Sequence, residues 1–125
     1  MPNFQRHHYR PLPECVTVRN SDTHIGGSGL YATENIPGGS RIGITHLILN
    51  EEDTKLMKYD TMRTPLGAFI NHADEPNSVL ILHGRLRVLV TARPIPKDTE
   101  ITIYYTMGYD DILPNYGGPK AWCSL

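Results

Sequence analysis

The sequence is short of several things, and each shortage closes off a class of protein. It carries only two cysteines, Cys15 and Cys123, near opposite ends. Two thiols allow at most one disulfide rather than a framework of them, and without a Cys-x-x-Cys pair there is no signature of a structural zinc site, so no metal is expected. Cys15 opens a strand-like run and reads most simply as a small buried residue. Net charge is also scarce. A formal charge of -1 and a pI near 6.6 give no bulk field that would draw the chain to DNA or RNA. No apolar run approaches membrane-spanning length, and the opening "MPNFQRHHYRPLPE" lacks the uninterrupted apolar stretch of a secretory signal. The expectation is a soluble, intracellular protein. Its 125 residues suffice for one small domain with a core.

What the chain does have is punctuation. Its 11 glycines and 10 prolines separate short apolar stretches, the pattern of a small mostly-β domain. The strand candidates are "CVTVR" (15–19), "LYATE" (30–34), "RIGITHLIL" (41–49), "VLIL" (79–82), "RLRVLV" (85–90) and "EITIYY" (100–105). His83-Gly84 reads as a hairpin turn between two of them. Only "NEEDTKLMKYD" (50–60) looks helical, with Asn50 placed to cap it and acidic residues in its first turn. Residues 1–14 and 110–125 read as arms flanking a body at 15–109. Two turns also echo each other: "IPGGSRI" (36–42) and "IPKDTEI" (95–101) share Ile-Pro, two turn residues, a hydroxyl, one variable position and Ile. Either the match is chance, or the chain contains two similar β-units; it is not a solenoid, because the echo occurs only twice.

The segment "GAFINHADEPNS" (67–78) stands out, because Phe69-Ile70 runs directly into Asn71-His72 and then Pro76-Asn77. Asn, Asp and Pro are turn formers and could simply be bonding their own backbone. The same amides and imidazole could instead form the centre of a binding site. Similarly, "GGSG" (26–29) taken alone is a flexible hairpin tip, and His72 taken alone is a structural histidine.

Three motifs in order lead past these local readings. "GGSGLYATENIPGGSRI", "FINHADEPN" and "ARPIPKDTEITIYY" resemble the Gly-x-Gly opening, the Asn-His-x-x-x-Pro-Asn segment and the Glu-Ile-Thr segment ending in tyrosine of the SET-domain protein lysine methyltransferases, in a minimal form of the kind carried by viruses and bacteria. The resemblance spans about Ile25 to Tyr109. It implies a mostly-β, β-clip-like SET domain with short strands, one short helix and a knot-like C-terminal crossing. It also implies S-adenosylmethionine as cofactor, a lysine-bearing host or partner protein as substrate, a host cytoplasmic or nuclear setting, and room for a homodimer. A SET-like module that binds a peptide without methyl transfer is the alternative.

Residue by residue, the resemblance makes Tyr105 the catalytic tyrosine. It assigns Gly27, Ser28, Gly29, Leu30, Asn71 and His72 to the cofactor, with the glycines letting the backbone approach the ligand. Asn77 is expected to hold a turn. Phe69, Ile103, Tyr109 and Trp122, together with Tyr116, are placed around the lysine channel, where aromatic faces suit a cationic side chain. Tail packing explains the last three equally well. Ile103 stands where a Tyr or Phe often limits the number of methyl groups, so more than one transfer is expected. Ala68 replaces a common arginine, and Tyr104 replaces an acidic residue. Glu51, Glu52 and Asp53 read either as an attraction for a basic peptide or as a solvated helix start.

Overall fold

The computed structural model describes residues 12–57 and 61–105. Among these described residues, eight short strands and two helices follow one another: β1 (Val16–Asn20), β2 (Ser28–Ala32), β3 (Arg41–Ile48), α1 (Glu51–Met57), β4 (Thr61–Arg63), α2 (Pro65–Ala68), β5 (Asn71–His72), β6 (Ser78–His83), β7 (Leu86–Thr91) and β8 (Glu100–Ile103). The strands form two four-stranded sheets, ordered β1-β2-β8-β5 and β4-β3-β7-β6. Every pairing is antiparallel except β5 with β8. The main core draws on both sheets through Leu30, Ile42, Leu80, Leu89 and Ile101, sealed by Leu66 and Ile70. Cys15 lies in this cluster at 1% exposure and is disulfide-bonded. The domain is mostly β, as the alternating runs require.

Local chemistry sets the element ends. The Asn50 carbonyl accepts the Thr54 N–H at 2.9 Å, so α1 starts directly after Asn50. The single turn of α2 begins with Thr64, whose hydroxyl accepts the Gly67 N–H at 3.3 Å, and with Pro65 in the first turn, where a missing N–H costs nothing. Gly84 leads the two-residue link between β6 and β7 with φ of 62°, as that hairpin type demands.

The echo of the two Ile-Pro turns is physical. Ile36 and Ile95 pair face to face, each N–H donating to the other's carbonyl at 2.8 Å. Around this bridge the bonds repeat. Gly39 N–H reaches Thr91 O and Asp98 N–H reaches Ala32 O, both at 2.8 Å, while Thr91 N–H reaches Ser40 O and Ala32 N–H reaches Thr99 O, both at 3.0 Å. Gly39 and Asp98 hold matching positive φ values of 77° and 68°; asparagine and aspartate tolerate that region better than most residues. Units β1-β2-turn-β3 and β6-β7-turn-β8 are thus related by an approximate two-fold, each lending its last strand to the other's sheet. Read in opposite directions, the two sheet orders correspond.

β8 is the strand that both halves need. It lies between β2 and β5, and the chain from Asn71 to Asn77 crosses it to reach β6. At the far side of the crossing Asn77 acts as a substitute strand neighbour. Its Nδ2 donates to Glu100 O at 2.8 Å and its Oδ1 accepts the Thr102 N–H at 3.0 Å. One side chain thereby satisfies a donor and an acceptor of a buried strand, which explains an amide at a position 7% exposed. This is the knot-like crossing, and Asn77, expected to hold its own turn, instead spends its amide on β8.

One buried base gives the fold a pH dependence. His46 on β3 is 7% exposed, and burial, reinforced by the charges of Arg87 and Arg63, lowers its pKa from 6.5 to about 4. Between those two values the unfolded chain holds the proton and the folded chain does not, so stability rises with pH across the window. The melting temperature should therefore fall as pH drops from 6.5 towards 4, and His46→Gln should flatten part of that slope. Equal slopes for the two proteins would assign the effect to another group.

Candidate active site

The site is built around the carboxylate of Glu100, the first residue of β8, which is 7% exposed. Its oxygens accept from Ser21 Oγ at 2.8 and 3.0 Å, from the Asp22 and Thr23 N–H groups at 3.1 Å each, from Thr23 Oγ1 at 3.0 Å, and from Asn71 Nδ2 at 2.9 Å. The Tyr31 hydroxyl adds a longer contact at 3.4 Å while accepting the Asp22 N–H at 2.8 Å. Burial alone would raise the pKa of this carboxyl, but the donors of Asn71, Ser21 and Thr23 outweigh it and hold the group below its ordinary value. Glu100 is thus ionised at neutral pH. Its contribution to stability is complete above the ordinary carboxyl range and is lost only as pH falls through the lower folded value.

This carboxylate shapes the loop between β1 and β2. Ser21, Asp22 and Thr23 fold back over it, and the Ser21 N–H closes the loop on Gly27 O at 2.9 Å. Asn71 completes the clamp, because its Nδ2 also lies 2.8 Å from Ser28 O and 3.1 Å from Ser21 Oγ. The Asn71 Nδ2 is therefore spent on the protein, joining β5, β2 and β8. Gly29 acquires a reason that does not involve a ligand: a Cβ there would collide with the Glu100 carboxylate, whereas at Gly27 it would meet only the movable His24 ring. Leu30 is wholly buried in the core, so only its backbone can face a ligand.

The second part of the site is the end of β8 against β5. Ala73 N–H donates to Ile103 O at 2.9 Å. Alternation along the strand then turns the His72 main-chain N–H and C=O to the opposite edge, where the sheet order places no further strand among the described residues. An adjacent donor and acceptor on an open edge is the kind of pair that meets the edge of a polar heterocycle. The His72 ring is occupied elsewhere: Nδ1 receives the Tyr105 N–H at 2.8 Å and Nε2 lies 3.0 Å from Asp74 Oδ1. The Tyr105 hydroxyl donates to the Ile70 carbonyl, and the residue remains 53% exposed.

Among the expected site residues, the structure brings Gly27, Ser28, Gly29, Leu30, Asn71, His72 and Tyr105 together around the β2-β8-β5 junction. Phe69 is half-buried against the core, and Ile103 is 7% exposed within it. Tyr109, Tyr116 and Trp122 lie outside the described residues. Sequence reading missed the part played by Ser21, Thr23 and Glu100, although Glu100 sits inside the third motif and Ser21-Asp22-Thr23 is a visible cluster of loop formers. Among the described residues no group of three or more His, Cys, Asp and Glu could hold a metal ion, and no helix is long and apolar enough to cross a membrane.

A small mostly-β domain with a parallel two-strand crossing, an Asn-His pair at its edge and a tyrosine at its exit defines a narrow structural class. The chain belongs to the SET-domain family, whose SET domain profile matches residues 27–106. Among solved structures it is similar to a Plasmodium falciparum protein described as a histone methyltransferase, with a TM-score of 0.58 and 21% identity over 75% of this chain and 95% of that one. It is also similar to the methyltransferase domain of human PR domain-containing protein 2, with a TM-score of 0.58 and 19% identity over 85% of this chain and 86% of that one. At these identities the likeness is one of fold. No curated protein sequence matches the chain at a significant level.

The two glycines separate the roles of carboxylate and ligand. Gly29→Ala should lower stability by about 1–3 kcal/mol, since the Glu100 bonds must shift, while Gly27→Ala should cost much less. Thermal unfolding of both variants checks this, and equal losses would return Gly29 to a role in ligand approach alone.

Proposed function

We propose that this protein is an S-adenosylmethionine-dependent protein lysine N-methyltransferase acting on a lysine side chain of a host or partner protein. The observation that carries the reading is the double tether of Tyr105, its hydroxyl on Ile70 O and its N–H on His72 Nδ1, directly beside the open main-chain edge of His72. When bound, S-adenosylmethionine supplies an electrophilic methyl group on a cationic sulfonium. The residues present suit it: the loop ending at Gly27 and Ser28 is preformed by Glu100, and the His72 N–H and C=O offer adenine a donor and an acceptor.

The chain's own groups then act on the amine. Because the Tyr105 hydroxyl proton is committed to Ile70 O, the phenol oxygen keeps its lone pairs for an N–H of a neutral lysine amine. A carbonyl cannot carry that proton away, so Tyr105 orients the nucleophile rather than deprotonating it. Orientation of this kind contributes several kcal/mol in well-aligned systems. Phe69, half-buried, supplies apolar wall, which disfavours the ammonium form of an entering lysine. Ile103 offers no hydroxyl to restrict further transfers.

Methyl transfer from labelled cofactor onto a panel of host proteins, with mass spectrometry of the products, tests the reading. Tyr105→Phe keeps the ring and removes the hydroxyl. Turnover should fall by about 10²-fold or more, cofactor affinity by calorimetry should barely change, and raising the pH should not restore the rate. Near-wild-type turnover would remove Tyr105 from the mechanism. Absence of cofactor binding at millimolar concentration would favour a binding module.

A further inference from the structure

The His72 imidazole touches Tyr105 in a way that depends on which ring nitrogen carries a proton. A backbone N–H can only donate, so Nδ1, 2.8 Å from the Tyr105 nitrogen, must present a lone pair. The neutral ring then bears its proton on Nε2, pointing at Asp74 Oδ1 3.0 Å away. Tyr105 lies beyond the end of β8 at Ile103, and its N–H bonds the histidine side chain there. Ring contacts support the same placement: the His72 centroid is 5.4 Å from that of Tyr105 and 4.6 Å from that of Tyr104, the latter edge-on.

We propose that His72 is the positioning residue of Tyr105, and that it positions the tyrosine only as the neutral, Nε2-protonated ring. The inference rests on the methyltransferase reading for its catalytic consequence, though not for the tether itself. An imidazolium would set an Nδ1–H against the Tyr105 N–H at the same short distance, two donors facing each other, and the tether would be lost. Among the described residues, the titratable groups facing His72 are Asp74 from its own segment and the phenols of Tyr104 and Tyr105 from the chain leaving β8. The Asp74 side chain is 92% exposed. The ring therefore stands between two partners that favour opposite states. The backbone N–H favours the neutral ring, and the carboxylate favours the charged one.

The consequence is an acid limb on turnover that belongs to the enzyme and not to the substrate amine. His72→Asn isolates it, because an asparagine oxygen occupies about the place of Nδ1, accepts the same bond and does not titrate. His72→Leu removes the acceptor altogether. Two measurements decide. The first is nuclear magnetic resonance of the free protein between about pH 5 and 8, following the Tyr105 amide and the His72 ring nitrogens. They should titrate with one midpoint, and the Tyr105 shift should vanish in His72→Asn. The second is the pH dependence of kcat and of KM for the cofactor. His72→Asn should keep kcat within about tenfold of wild type with a flattened acid limb. His72→Leu should lose about 10²-fold in kcat with KM for the cofactor little changed, since the main chain that would face adenine is retained. A Tyr105 amide blind to the His72 titration, or an unaltered acid limb in His72→Asn, overturns the proposal. A coupled titration in a protein that transfers no methyl group would uphold the tether and sink the enzymatic reading instead.

Discussion

A single buried carboxylate governs the geometry of the site. Glu100 would be costly to ionise at its depth without the donors converging on it, and those donors come from the β1-β2 loop, from β2 and from β5. Satisfying one charge therefore fixes three separate stretches of chain relative to β8. The loop before Gly27 is shaped from within the protein, so its conformation exists before any ligand arrives. In the proposed methyltransferase, such a preformed loop avoids the ordering cost that a flexible glycine tip would impose on binding.

The approximate two-fold through Ile36 and Ile95 shows where function departs from architecture. In one half the hairpin is the tight Gly84-Arg85 link; in the other it is the longer 21–27 loop. The residue equivalent to Glu100 in the tight half is Arg41, at the start of β3, as the matched turns place it. Two copies of one β-unit thus share a core and a turn, and the copy with the acidic residue and the extended hairpin builds the junction around Glu100. The other half buries Thr45, His46 and Arg87 between β3 and β7. Sheet exchange between the units keeps both copies in one cooperative body, since neither sheet is complete without a strand of the other.

Much of this was legible in the sequence, and the reasons are specific. Alternating runs such as "RLRVLV" place strands to within a residue or two, and the repeated Ile-Pro turns leave two similar β-units as one of two readings, which the Ile36–Ile95 bridge decides. β2 was expected two residues late because Ser28 and Gly29 carry no apolar signal, although both pair with β1. β4, α2 and β5 were not foreseen. Each is four residues or fewer, too short to show a period, and β5 exists only because β8 lies beside it. The motif segments pointed to Asn71, His72 and Tyr105, but not to how they are used. That Asn71 spends its amide on Ser28 and Glu100, and that the His72 ring faces a backbone N–H, depends on contacts between residues far apart in the chain.

The central claim is that the interactions holding β8, β5 and the β1-β2 loop together are the same ones that prepare the cofactor cradle. A double-mutant cycle between Asn71 and Glu100 tests it most directly, using Asn71→Ala, Glu100→Gln and the pair, each read by thermal unfolding and by calorimetric binding of S-adenosylmethionine. The account predicts a coupling of about 1–3 kcal/mol in stability and a matching non-additive loss of cofactor affinity. Additive effects, or coupling in stability with cofactor affinity untouched, would contradict it.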